Sequence, residues 1–70
     1  QALRREDSII ARNNRAEALG ALQCVRLARQ DLAQASRLDA AGRYAAVLSA
    51  TGASLPGDDA CPDGLEALLQ

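Results

Sequence analysis

SIIARNNRAEALGALQCVRLARQDLAQASRL, residues 8–38, is the stretch that decides the fold. Its apolar and small residues recur at the spacing of one helical face, about 100° per residue. Most of the stretch is Ala, Leu, Arg, Gln and Glu, which favour helices. We therefore predict one long amphipathic helix, capped at its start by Ser8 or Asp7, or else beginning earlier, near Ala2. Its main buried stripe is predicted to contain Leu3, Ile10, Ala11, Ala18, Ala21, Leu22, Val25, Ala28, Leu32 and Ala35.

Two residues disturb this regular pattern. Asn14 lies at the centre of the main stripe, where it indicates either a helix end that frays into water or a polar residue that fixes the register of a helix–helix contact. Gly20 costs roughly 1 kcal/mol relative to Ala in a helix interior. It is either a tolerated interruption or the place where a neighbouring segment packs closely.

A second, narrower apolar seam runs along the same predicted helix, about 140° around from the main stripe. A helix that is apolar on two sides is usually buried on both, and the rest of this short chain covers little more than one side. We therefore predict that the seam binds a protein partner, either a second copy of the chain or another subunit. The alternative is a set of scattered surface residues, which are common on folded proteins. The predicted partner-binding residues are Ile9, Ala16, Gly20, Leu27 and Leu38.

The chain after residue 38 is predicted to form two further helices separated by a loop. The second helix covers residues 40–51 and ends at Gly52, and the loop covers 52–62 with turn-forming Pro and Gly residues. Residues 39–43 form either a turn, which gives a helical hairpin, or a kink, which gives a rod.

A short C-terminal helix is predicted over residues 63–70. Asp63 is its expected N-cap, and Glu66 stands three residues later, where it would complete a capping box. Leu65, Leu68 and Leu69 would form its buried side.

Cys24 and Cys61 are the most informative side chains. The chain has 70 residues, 49% of them hydrophobic, but these are mostly Ala and Leu, so a single domain over residues 1–70 has a thin core. A disulfide between the two cysteines would tie the C-terminal segment to the long helix and indicate an oxidising compartment such as a periplasm. The alternative is a buried thiol and a loop thiol, both free.

The sequence contains no pattern of residues that would carry catalysis or hold a metal. It has no His, no glycine-rich phosphate loop, and cysteines too far apart for a redox motif. We predict no enzyme activity, no cofactor, no metal site and no catalytic residues. The net charge is −1 and the only aromatic residue is Tyr44, so nucleic-acid binding is not expected either.

Membrane insertion is not expected within the sequence, because it contains no run of about 18 apolar residues. The chain begins with Gln1 rather than Met, and a signal peptide or an anchor upstream of Gln1 is therefore compatible with the sequence.

The stretch QALRREDSIIARNNRAEALGALQCVRLARQDL resembles the periplasmic part of the N-terminal helix of type IV minor pilins and pseudopilins. ACPDGLEALLQ resembles the cysteine-containing loop and short helix that follow in some of them. The amino-terminal pilin signature and the β-sheet of that family have no counterpart in this sequence. The resemblance implies a structural or priming role in a fibre, without catalytic residues.

These observations predict an all-α, disulfide-tied protein that acts by binding other proteins. The leading hypothesis is a non-enzymatic interaction or structural module of a bacterial envelope or secretion assembly, periplasmic or secreted. The bacterial origin is suggested by composition alone, since all eight basic residues are Arg. The alternative is a small cytosolic chaperone or regulator that binds a partner's hydrophobic segment, and the state of the cysteines distinguishes the two.

Overall fold

The chain folds into helices joined by short turns and one longer loop. The computed structural model describes the backbone of residues 5–68, and the side chains of residues 8–65, 67 and 68. Within these residues there is no strand, and the predicted all-α class is confirmed. The helices are α1 (Arg5–Ala21), α2 (Val25–Leu38), α3 (Ala45–Ser54) and the single turn α4 (Leu65–Leu68).

The prediction of one long helix over residues 8–38 is wrong, because the chain turns between Ala21 and Val25. Gln23 has φ 62°, in the left-handed region, and this reverses the chain direction. The Arg15 side chain therefore meets Asp31, so α1 and α2 form an antiparallel hairpin. The expected cap at Ser8 or Asp7 is also wrong, because α1 already includes Arg5.

The break changes which face of α1 is buried. The buried positions of α1 and those of α2 are out of phase by about a quarter of a turn at 3.6 residues per turn. A single stripe drawn through both helices therefore does not describe α1, where Ile10 is 45% exposed, or the turn after it, where Leu22 is 50% exposed. Ala11, Ala18 and Ala21 are exposed as well. In α2 the stripe holds, since Val25, Ala28 and Ala35 are buried and Leu32 is half-buried. Leu3 lies outside the described residues.

The predicted partner-binding seam lies inside the molecule. Its members are covered by the chain's own helices and loop, with Ile9, Ala16, Gly20 and Leu27 buried and Leu38 half-buried against the core. At Gly20 the close neighbour is intramolecular, since a Cβ there would lie 2.7 Å from Cδ2 of Leu55. The assignment of this seam to a partner is therefore corrected. Its α1 residues lie on the packing face of α1, and Leu27 and Leu38 pack on the core from α2.

The core is thin and consists of two small clusters. One lies near the α1–α2 turn and contains Ala16, Leu19, Cys24, Leu27 and Ala28. The other lies at the open end of the hairpin and contains Ile9, Ala35 and Leu48. Several buried positions are Ala, which lets the helices approach closely but contributes little apolar area.

The polar residue that joins α1 to α3 is Asn13 rather than Asn14. Asn13 is buried, and its Oδ1 accepts a hydrogen bond of 2.6 Å from the Thr51 hydroxyl. Asn14 is exposed in the middle of α1, so it is neither a frayed helix end nor a polar residue within a helix–helix contact. The register-fixing role belongs to its neighbour, because a buried amide with a buried hydroxyl partner specifies one alignment.

Residues 39–43 form a turn, which resolves the choice between hairpin and rod. The Asp39 carboxylate accepts hydrogen bonds of 2.9 Å from the backbone N–H groups of Arg43 and Tyr44, and Gly42 has φ 73°. The second helix begins at Ala45 and ends at Ser54, later at both ends than the predicted 40–51. Gly52 does not stop it, and the helix ends just before Pro56, which disfavours helical geometry in the residue before it.

The C-terminal helix is shorter than predicted. It begins at Leu65, after Gly64 with φ 83°, so Gly64 rather than Asp63 directly precedes it. Leu65 is half-buried against the core, but Leu68 is 81% exposed, which corrects its predicted burial. Leu69 and the end of the predicted 63–70 segment lie outside the described residues.

Candidate functional site

Cys24 and Cys61 form a disulfide bond, as predicted, with an S–S distance of 2.00 Å. Cys24 is fully buried immediately before the first residue of α2, and Cys61 is half-buried in the loop after α3. The bond joins this loop to the turn of the helical hairpin. The thin core is therefore supplemented by a covalent connection at the turn.

Two hydrogen bonds hold the same loop on the turn. The Ala60 N–H donates to the Gln23 carbonyl over 2.8 Å, and the Arg26 N–H donates to Oδ1 of Asp59 over 3.1 Å. The residue at the N-cap of α2 is Cys24, whose side chain makes no capping bond. Asp59 supplies that cap from 33 positions away in the sequence. We call the disulfide and these two hydrogen bonds the loop clamp.

The Asp59 cap gives a testable prediction. Asp59→Ala should lower the free energy of unfolding by about 1 kcal/mol, because an unsatisfied N–H remains at a helix start that also favours negative charge. Asp58→Ala, at the exposed neighbouring position, removes the same charge and should change stability by less than about 0.5 kcal/mol. Urea denaturation of both variants measures the difference. Equal effects would show that Asp59 acts only through its net charge.

The sequence pattern did not reveal the buried carboxylate of Asp31. Asp31 is 2% exposed, and both of its oxygens accept hydrogen bonds from the Arg15 guanidinium, while Nη1 of Arg12 lies 3.3 Å from Oδ1. Hydrogen bonding to Asp31 and its negative charge raise the pKa of Arg15 above its ordinary value, against a smaller opposing effect of burial. One signal was available, because Asp31 stands at helical spacing between Ala28 and Ala35, which are both buried.

The outer face of α3 is uncharged and exposed. The helix sequence AAVLSATGAS contains no acidic or basic residue, and only Leu48 and Thr51 are buried. Val47 is 44% exposed and Ile10 of α1 is 45% exposed. They lie at the same end of the molecule, because their neighbours Leu48 and Ile9 share one core cluster. We define the α3 face as Ile10 together with the exposed α3 residues Ala45, Ala46, Val47, Ser49, Ala50 and Ala53.

Over the described part of the chain, no group of His, Cys, Asp or Glu side chains is arranged to hold a metal ion. None of the helices in that part has the length and apolar character needed to cross a bilayer. Three features of the described residues are candidates for a functional role: the loop clamp, the Arg15–Asp31 ion pair and the α3 face.

Comparison of the chain with protein-family models, with curated proteins and with solved structures finds no match.

Proposed function

We propose that the chain is a non-enzymatic helical interaction module, a subunit or adaptor that docks another protein of a bacterial envelope or secretion assembly through its α3 face. The observation that carries the proposal is the composition of α3, which lacks charge on every side yet buries only one side. Its exposed residues are Ala, Val and Ser, and a continuous exposed surface with so little polarity marks a site of protein–protein contact. The α3 face replaces the predicted apolar seam, whose residues are covered within the molecule, as the proposed partner surface.

The loop clamp supports the proposed setting outside the cytosol. Disulfides persist in oxidising compartments, and small domains with thin cores depend on them there. The cytosolic chaperone or regulator fits the bonded cysteines less well. The pilin resemblance compares residues 1–32 with one long helix, and the turn after Ala21 interrupts that stretch, so a pilus role is not part of this proposal.

The test compares two variants that add the same negative charge at exposed positions. Val47→Glu lies on the α3 face, and Gln30→Glu lies on α2 away from it. Captured from the native source after cross-linking, the wild type should retain a defined partner protein. Val47→Glu should lose that partner because a carboxylate would be desolvated in the interface, whereas Gln30→Glu should keep it. Equal capture by all three proteins, or no partner with the wild type, would overturn the proposal.

A further inference from the structure

We propose that the α1–α2 turn is a redox-controlled hinge: reduction of Cys24–Cys61 allows residues 22–24 to become helical, and two copies of the chain then exchange α1. This inference does not depend on the proposed function. It starts from the contrast between a sequence that predicts one helix and a structure that contains two.

The residues of the turn do not favour it, although two backbone hydrogen bonds close it locally, from the Gln23 N–H to the Gly20 carbonyl over 3.0 Å and from the Cys24 N–H to the Leu19 carbonyl over 2.8 Å. Leu22, Gln23 and Cys24 include neither Gly nor Pro, and Leu and Gln are good helix formers. Gln23 nevertheless has φ 62°, a conformation that costs a residue with a Cβ some free energy and that Gly adopts readily. A helix-compatible residue held in the left-handed region marks a place where the surrounding structure imposes the conformation.

The loop clamp supplies that constraint by taking the places of two helical hydrogen bonds. In a continuous helix the Gln23 carbonyl would accept the N–H of Leu27, and the Arg26 N–H would donate to the Leu22 carbonyl. Here the Gln23 carbonyl accepts from Ala60, and the Arg26 N–H donates to Asp59. Both replacements come from the loop that the disulfide attaches to Cys24. When the loop leaves, the two groups are free to pair within a helix.

The chemistry of release is a thiol–disulfide exchange with a dithiol reductant. One thiolate of the reductant attacks Sγ of Cys61, because Cys61 is the less buried of the two cysteines and Cys24 is fully buried. The S–S bond breaks, Cys24 leaves as a thiolate and takes a proton, and a mixed disulfide forms on Cys61. The second thiol of the reductant then displaces Cys61, which also becomes a thiol. The protein gains two electrons and two protons, and the reductant becomes a disulfide.

A straightened chain needs a second copy to cover its core. Extension separates α1 from α2 and exposes Ile9, Leu19 and Leu27, which are buried in the hairpin. The surface complementary to each exposed α1 is the α2–α3 surface of another copy, including Asp31 for Arg15 and Thr51 for Asn13. Exchange of α1 between two chains thus restores the same contacts with an extended hinge, which is domain swapping. The net charge of −1 offers little repulsion between copies.

The test measures oligomeric state and hinge geometry together. Sedimentation of the wild type at high concentration should show a monomer when oxidised and a dimer with retained helicity when reduced. For the hinge geometry, spin labels are attached at Ala11→Cys and Ser36→Cys in a variant that also carries Cys24→Ser and Cys61→Ser. Dilution with unlabelled protein leaves at most one labelled chain in each dimer, so the measured distance lies within one chain. The hairpin places the two helix axes about 10 Å apart. The straight helix separates the labelled positions by about 38 Å, at ~1.5 Å per residue.

A matched pair of hinge variants gives a second readout. Gln23→Ala should increase the dimer fraction several-fold in the reduced state, and Gln23→Gly should decrease it, because Gly accepts the turn and disfavours the helix. A reduced protein that stays monomeric, loses its helicity, or dimerises with the short intramolecular distance would each overturn the hinge. A dimer whose dilute labels show the long distance supports it.

Discussion

Reduction of the Cys24–Cys61 disulfide should lower the melting temperature of the monomer by about 20 °C or more. In the chain-entropy model a bond across 37 positions stabilises the fold by about 4 kcal/mol, because it restricts the unfolded chain. Each kcal/mol corresponds to about 4–8 °C in a domain of this size. The effect is large because a thin core of Ala and Leu leaves a small total stability.

The measurement is thermal denaturation by circular dichroism at low protein concentration, where the monomer dominates. The Cys24→Ser/Cys61→Ser variant should melt close to the reduced wild type, and its own melting temperature should not respond to reductant. This variant is the control for effects of the reductant itself. An unchanged melting temperature on reduction of the wild type would contradict the stabilising role of the bond.

Ile9→Ala and Ile10→Ala should differ strongly, although the two residues are adjacent and identical. Ile9 is 2% exposed and packs with Ala35 and Leu48, so its truncation should cost about 3 kcal/mol through lost burial and a cavity. Ile10 is 45% exposed, and its truncation should cost less than about 1 kcal/mol. Chemical denaturation of both variants measures the contrast.

This pair tests the register of α1 directly. An unbroken helix with the predicted main stripe would bury Ile10, and the order of the two effects would be reversed. Ile10→Ala costing as much as Ile9→Ala would therefore contradict the hairpin geometry.

Local signals predicted the helical class and the end of a helix at Leu38 correctly. Asp39 and Gly42 both indicated a break, and their hydrogen bonds and left-handed backbone make it a turn. The pairing of Cys24 with Cys61 could be predicted without any structural information, since the chain has two cysteines. These features depend on residues close in sequence or on a simple count.

The break between α1 and α2 could not be predicted in this way, because no Gly or Pro marks it and part of its support lies more than 30 residues away. Residues 22–24 favour a helix. The turn is held by local backbone hydrogen bonds and by contacts with Asp59, Ala60 and Cys61. A continuous helix would carry the buried face of α2 into α1 without the quarter-turn shift. Its predicted stripe therefore assigns the true packing face of α1 to a partner.

The full burial of Cys24 also has a consequence for the order of events during folding. Contacts between α1 and α2 span short loops, which close on microsecond timescales, whereas disulfide formation takes seconds to hours. Within a single chain the contacts between α1 and α2 therefore form before oxidation, and the disulfide then fixes the turn that the reduced chain can still straighten. An oxidising catalyst can reach Cys61, which is only half-buried, more easily than the fully buried Cys24. The bond should then form by attack of the Cys24 thiolate on a mixed disulfide at Cys61, so that loop closure and oxidation are one step.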